Sequence, residues 1–114
     1  MNRTSFYGDW RKYKNKRTTI KGIHYDSKFE SKVGKDLEYR MMAKDIACFS
    51  RQVNFPLVVN GIKITTYRAD FVVEHNDKSL EVVEAKGFLT DLGRIKLLLF
   101  EALFPQYKLT IVRQ

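Results

Sequence analysis

Residues 66–87, TYRADFVVEHNDKSLEVVEAKG, put three charges into sequence that otherwise reads as buried sheet. The apolar runs 69–73 and 80–85 flank the polar loop 75–79 and are rich in valine, the pattern of an antiparallel hairpin. Inside that ribbon stand Asp70, Glu84 and Lys86. A buried carboxylate or ammonium costs several kcal/mol unless it is paired or bound to metal, so the placement requires a physical reason.

The hairpin geometry supplies one. A loop centred on Asp77 sets Asp70 directly opposite Glu84, with Val72 and Val82 on the next rung of the same face. Opposed Cβ atoms lie about 4.5–5.5 Å apart, close enough for two carboxylates to share one divalent cation. Glu84 and Lys86 are two apart on one strand and so point to one face. Two acids and a lysine converge there.

With 114 residues the chain is long enough for one domain and too short for two. It contains no apolar run of about 18 residues, which predicts no membrane span. The basic, polar start lacks the apolar stretch of about 7–15 residues found in a secretory signal. A single cysteine, Cys48, forms no internal disulfide and suits a reducing cytoplasm, the expected location. Cys48, His24 and His75 are too few for the usual structural zinc site, so any metal should be a hard, oxygen-liking ion such as Mg²⁺.

The formal net charge is +8, from 21 Lys and Arg against 13 Asp and Glu. Most of the excess falls near the start, where Arg11, Lys12, Lys14, Lys16, Arg17 and Lys21 are interleaved with Trp10 and Tyr13. Such an arm can release counterions from phosphates and stack on bases or sugars; the bland alternative is a solvated leader. Residues 1–21 are expected to be a basic arm preceding a domain at 22–114.

Along the domain, a first helix is expected from Asp26-Ser27 to about Lys44. Ser27-Lys28-Phe29-Glu30 has the form of a capping box, and Phe29, Val33, Leu37 and Met41 recur at the spacing of a sheet-facing stripe. On this reading Glu30 is a cap. Gly34, one turn on, suggests close backbone approach. Residues 48–53 suggest a short edge strand. Residues 55–59 and 62–65, joined by Asn60-Gly61, suggest a hairpin with a type I′ turn. After the charged hairpin, Thr90 and Asp91 cap a second helix that Pro105 ends, and residues 108–112 alternate as a last strand. The expected fold is α+β: helix, three or four strands, helix, strand, with a mixed sheet and a right-handed crossover into the last strand. The second helix is apolar nearly all round, and the excess about Leu97, Phe100 and Phe104 predicts a homodimer. Arg94 and Lys96 lie in its first turns, where positive charge opposes the helix dipole; a bound phosphate would account for them.

Asp70 followed by Glu84-Ala85-Lys86 resembles the D…(D/E)-x-K signature of the restriction-endonuclease-like nucleases, the PD-(D/E)XK superfamily. The wider frame, Tyr25-Asp26-Ser27-Lys28-Phe29-Glu30, Tyr67-Arg68-Ala69-Asp70-Phe71 and Glu84-Ala85-Lys86-Gly87-Phe88, resembles short phage-encoded endonuclease-like proteins often filed as a domain of unknown function. Ala69 stands where the superfamily often has proline. The resemblance implies an αβββαβ core with a central mixed sheet flanked by helices, and a Mg²⁺-dependent endodeoxyribonuclease, with Mn²⁺ able to substitute. Asp70, Glu84 and the Ala85 carbonyl would hold metal, Lys86 would serve the attacking water or the phosphate charge, and Glu30 would reach the same site from the first helix. A branched-DNA or Holliday-junction resolvase on this fold, or a non-catalytic DNA-binding module, are the alternatives.

Overall fold

The computed structural model describes residues 23–86 and 89–113. The proposed arm, residues 1–21, lies outside them, as do Gly87 and Phe88. Helix α1 (Ile23–Met42) leads into strands β1 (Cys48–Val59), β2 (Ile62–Glu74) and β3 (Leu80–Lys86); helix α2 (Asp91–Leu103) and strand β4 (Tyr107–Arg113) complete the order. The sheet runs β1-β2-β3-β4, antiparallel except for the parallel β3–β4 pair, so the expected α+β fold with a mixed sheet is the one observed.

Helix α1 starts earlier than the capping box predicts. Ser27 falls in its second turn instead of at the N-cap, because residues 23–26 contain no glycine or proline to stop the helix there. At the other end the stripe stops at Leu37, which is 2% exposed, whereas Met41 is 37% exposed and faces outward. Residues 48–59 form one continuous strand in place of an edge strand and a separate hairpin arm. Asn60 and Gly61 both take positive φ, 52° and 78°, as a type I′ turn requires. β1 is an edge strand, which is why Pro56 is tolerated within it. Thr90 caps α2, its hydroxyl accepting the Gly93 N–H at 3.0 Å.

Two apolar clusters lie on the two faces of the sheet. One joins Phe55, Leu57, Tyr67, Ala69 and Val82 to Leu97 and Phe100 of α2. The other joins Phe71, Val73 and Val83 to Leu37 of α1. Leu97 and Phe100, the centre of the expected dimer surface, are therefore buried inside the chain's own core. Phe100 packs edge-on to Phe55 and against Tyr67, at ring distances of 4.9 and 5.0 Å. The exposed apolar residues of α2 are instead Ile95 and Leu98, each 59% exposed.

The clusters also locate a turnover in the sheet. Ala69 and Phe71 are two residues apart on β2 yet belong to opposite faces, as do Val53 and Phe49 on β1. Between them lie Asp70 and Gln52, and Gln52 has a left-handed φ of 56°. A regular strand keeps alternate residues on one face, so both strands change face at this rung. The charged residues gather around it.

Candidate active site

The β2–β3 register is the one that a loop centred on Asp77 dictates: Val72 pairs with Val82 and Phe71 with Val83. Asp77 shapes that loop, accepting from both the backbone and the hydroxyl of Ser79. The paired ladder ends at Phe71–Val83, and just beyond it Asp70 and Glu84 lie close enough for the charge of one to act on the other. There the Asp70 carboxylate takes over a role of the ladder, its Oδ2 accepting the Ala85 backbone N–H at 2.9 Å. The N–H and C=O of one strand residue point to the same side, so the Ala85 carbonyl also opens toward Asp70.

Glu84 is 2% exposed, and both of its oxygens are engaged. Oε1 accepts from the Tyr67 hydroxyl at 2.5 Å and Oε2 faces the Lys86 ammonium at 3.0 Å. Paired in this way, a carboxylate can remain in an apolar strand. Tyr67 is buried, and burial followed by the neighbouring Glu84 charge raises its phenol far above the ordinary range. The Lys86 side chain is 35% exposed and reaches Glu84 from the open side.

Asp70 is half-buried, and its carboxyl is pushed up to about 7. Burial is the largest cause and the Glu84 charge the next; the Ala85 N–H pulls the other way, Glu30 raises it further and Lys86 lowers it. Glu30 is thus electrostatically part of the cluster. Its Oε2 accepts from the Gln52 side-chain amide, and Gln52 faces Asp70 across the β1–β2 rung that pairing skips. Gly34, one turn along α1, is buried beneath the Arg51 guanidinium, the close approach its sequence position suggests.

These positions collect Glu30, Asp70, Glu84, Ala85 and Lys86 from α1, β2 and β3. They add Gln52 and Tyr67, to which sequence reasoning assigned no role. A buried tyrosine needs a partner for its hydroxyl, and that requirement could have led from Tyr67 to Glu84. No comparable signal existed for Gln52, since its backbone conformation is imposed by the turnover of the sheet. Arg94 is exposed on the first turn of α2 and Lys96, two residues on, is half-buried. The six arm residues Arg11, Lys12, Lys14, Lys16, Arg17 and Lys21 lie outside the described residues.

The donor set can be tested against a divalent ion. Among the described residues no group of three or more His, Cys, Asp or Glu is placed so that it could hold a metal ion by side chains alone. What the cluster offers is oxygen only: two neighbouring carboxylates and a main-chain carbonyl. No described residue donates to Asp70 Oδ1, and Lys86 occupies on Glu84 the place a cation would take. Hard oxygens and a partly exposed, displaceable ammonium suit Mg²⁺ or Mn²⁺.

Among the described residues no helix is long and apolar enough to cross a membrane. A family model described as a protein of unknown function, DUF1064, matches residues 10–114, which include the later part of the basic arm. No curated protein and no solved structure matches the chain.

Proposed function

We propose that this chain, which belongs to the DUF1064 family of proteins of unknown function, is a Mg²⁺-dependent endodeoxyribonuclease of the PD-(D/E)XK type. The observation that carries the reading is the cluster of Asp70 and Glu84, with Ala85 hydrogen-bonded to Asp70 and Lys86 on Glu84. Neighbouring acids destabilise a small sheet and serve it poorly as structure; as cation ligands they have a use.

Asp70, Glu84 and the Ala85 carbonyl would hold the ion. When bound, Mg²⁺ or Mn²⁺ lowers the pKa of a coordinated water and offsets the charge that develops on the phosphate. Tyr67 keeps Glu84 oriented by its buried hydrogen bond. Lys86, released from Glu84, is free to bind the attacking water or the scissile phosphate. Glu30, whose charge reaches Asp70, is the third carboxylate. Charge favours a nucleic-acid substrate: residues 46–69, the ribbon that leads into Asp70, contain Arg51, Lys63 and Arg68 and no acid. The basic arm and Arg94 belong to the same proposed interface, as does Lys96.

A second reading has its own observation. The Lys86–Glu84 ion pair at 3.0 Å would also suit a purely structural triad in a non-catalytic DNA-binding module. A cytoplasmic, phage-encoded setting in DNA recombination, repair or processing belongs to the nuclease reading, and so does a homodimer, whose apolar contact, if made through α2, would use Ile95 and Leu98.

Purified protein incubated with linear duplex, single-stranded and four-way-junction DNA, with Mg²⁺ and with chelator, separates these readings. Chelator-sensitive cleavage of any substrate supports the nuclease, and preference for the junction favours the resolvase. Binding without cleavage of any of them favours the structural triad.

A further inference from the structure

The Gln52 side chain is a neutral group inside a ring of charge. Its amide donates to Glu30 Oε2, and it occupies the rung opposite Asp70, between the paired positions Arg51–Phe71 and Val53–Ala69. Its φ of 56° is left-handed, where a side chain bearing a Cβ is disfavoured and glycine or asparagine is at ease. The change of face explains part of this backbone: Arg51 lies over the Phe49 and Phe71 rings at 5.3 and 5.4 Å, while Val53 packs toward α2. It does not explain the choice of glutamine. A glycine would make the same turnover with less strain.

We infer that Gln52 is a positioning residue for Glu30. By occupying one oxygen of the Glu30 carboxylate, it ties α1 to the sheet at the turnover. That limits where the Glu30 carboxylate, whose charge reaches Asp70, can move. The amide is neutral, so it holds Glu30 without quenching the negative charge that a cation requires. A lysine or arginine at this position would hold the carboxylate too, but would compete with the metal. A left-handed backbone is kept because it is the conformation that turns the position-52 side chain toward α1. This inference rests on the metal-dependent reading of the site.

The test separates backbone from side chain. Gln52→Gly keeps the left-handed turn and deletes the amide; Glu30→Gln removes the charge being positioned. Cleavage rates at saturating Mg²⁺ are compared for wild type, Q52G, E30Q and the double variant, alongside urea midpoints and Mn²⁺ affinity by calorimetry. Q52G should unfold at a midpoint close to that of wild type, since relief of the left-handed conformation offsets the lost hydrogen bond to Glu30. Its cleavage rate should nevertheless fall about 10–100-fold, the scale on which misplacement of a catalytic group is felt. The double variant should cleave no more slowly than E30Q alone, because Gln52 acts only through Glu30. A Q52G protein that cleaves like wild type overturns the inference, as does a double variant whose losses multiply. If wild type itself does not cleave DNA, the functional reading fails separately. The calorimetry then decides: equal weakening of Mn²⁺ binding in Q52G and E30Q supports the role of Gln52, and unchanged binding in Q52G ends it.

Discussion

The Tyr67 hydroxyl donates to Oε1 of Glu84 at 2.5 Å, inside a cluster where both residues are buried. This bond accounts for a full carboxylate in the middle of an apolar strand, because the alternative is an oxygen with neither water nor partner. Tyr67→Phe should therefore lower stability by about 1–3 kcal/mol, the cost of stranding a buried acceptor, measured as a shift in the urea midpoint at unchanged slope. Saturating Mg²⁺ should restore part of that stability if the ion takes up Glu84. An unchanged midpoint in the absence of metal would mean that the hydroxyl holds nothing in place.

Asp70 yields a pH dependence whose sign is fixed by the direction of its shift. Its carboxyl has an ordinary value of 3.8 and is raised to about 7, chiefly by burial and next by Glu84. Between those two values the folded state binds more protons than the unfolded one, so stability falls as pH rises through the window. The penalty is complete above it and absent below it. Asp70→Asn removes that penalty and should be more stable than wild type at pH ~8, by about 1–2 kcal/mol once solvent screening is allowed for, with the gap closing by pH ~4. Chemical denaturation across pH, without metal, measures it. A gap of constant size would show that Asp70 does not titrate in this window.

Saturating metal should move that behaviour, since an ion on Asp70 favours the anion. The wild-type melting temperature should rise with Mg²⁺ at pH ~8 and respond far less at pH ~5, where protons compete for the same oxygens. Equal responses at the two pH values would place the ion elsewhere.

Much of this site was legible because a hairpin imposes its own arithmetic. Once the loop 75–79 is centred on Asp77, the pairing of Val72 with Val82 and of Phe71 with Val83 follows, which brings Asp70 and Glu84 into one neighbourhood. The Asn60-Gly61 turn and the Thr90 cap were readable for the same reason: each is a local rule with one physical cause. The failures came from tertiary structure. Leu97 and Phe100 are apolar in excess of one helix stripe, yet Phe55 and Tyr67 of the sheet pack against them, so the chain's own core covers the surface expected to be open. Ser27-Lys28-Phe29-Glu30 fits a capping box by pattern, but α1 begins upstream and Glu30 is left to Gln52. Nothing local marks Gln52, because its strain is a property of the twisted sheet.

The basic arm gives a prediction independent of the carboxylates. Removing residues 1–21 deletes Arg11, Lys12, Lys14, Lys16, Arg17 and Lys21 and leaves Asp70, Glu84 and Lys86 in place. Affinity for duplex DNA should fall most at low salt. The slope of log K against log salt should drop by roughly 0.9 for each phosphate that the arm no longer neutralises, about three to five in all. The hydrolytic rate at saturating DNA should change far less than the affinity. Equal slopes for the full and shortened chains would assign the arm to solubility alone.

Cleavage by variants of the cluster bears on the whole reading. Asp70→Asn, Glu84→Gln and Lys86→Ala are each compared with wild type for Mg²⁺-dependent cutting of DNA, with circular dichroism and DNA binding recorded on the same samples. All three should remain folded and bind DNA while cleaving at least about 100-fold more slowly, as expected when a metal ligand or a group at the reacting phosphate is removed. Cleavage at the wild-type rate by any two of them would contradict the assignment and leave Asp70, Glu84 and Lys86 as a structural ion-pair cluster.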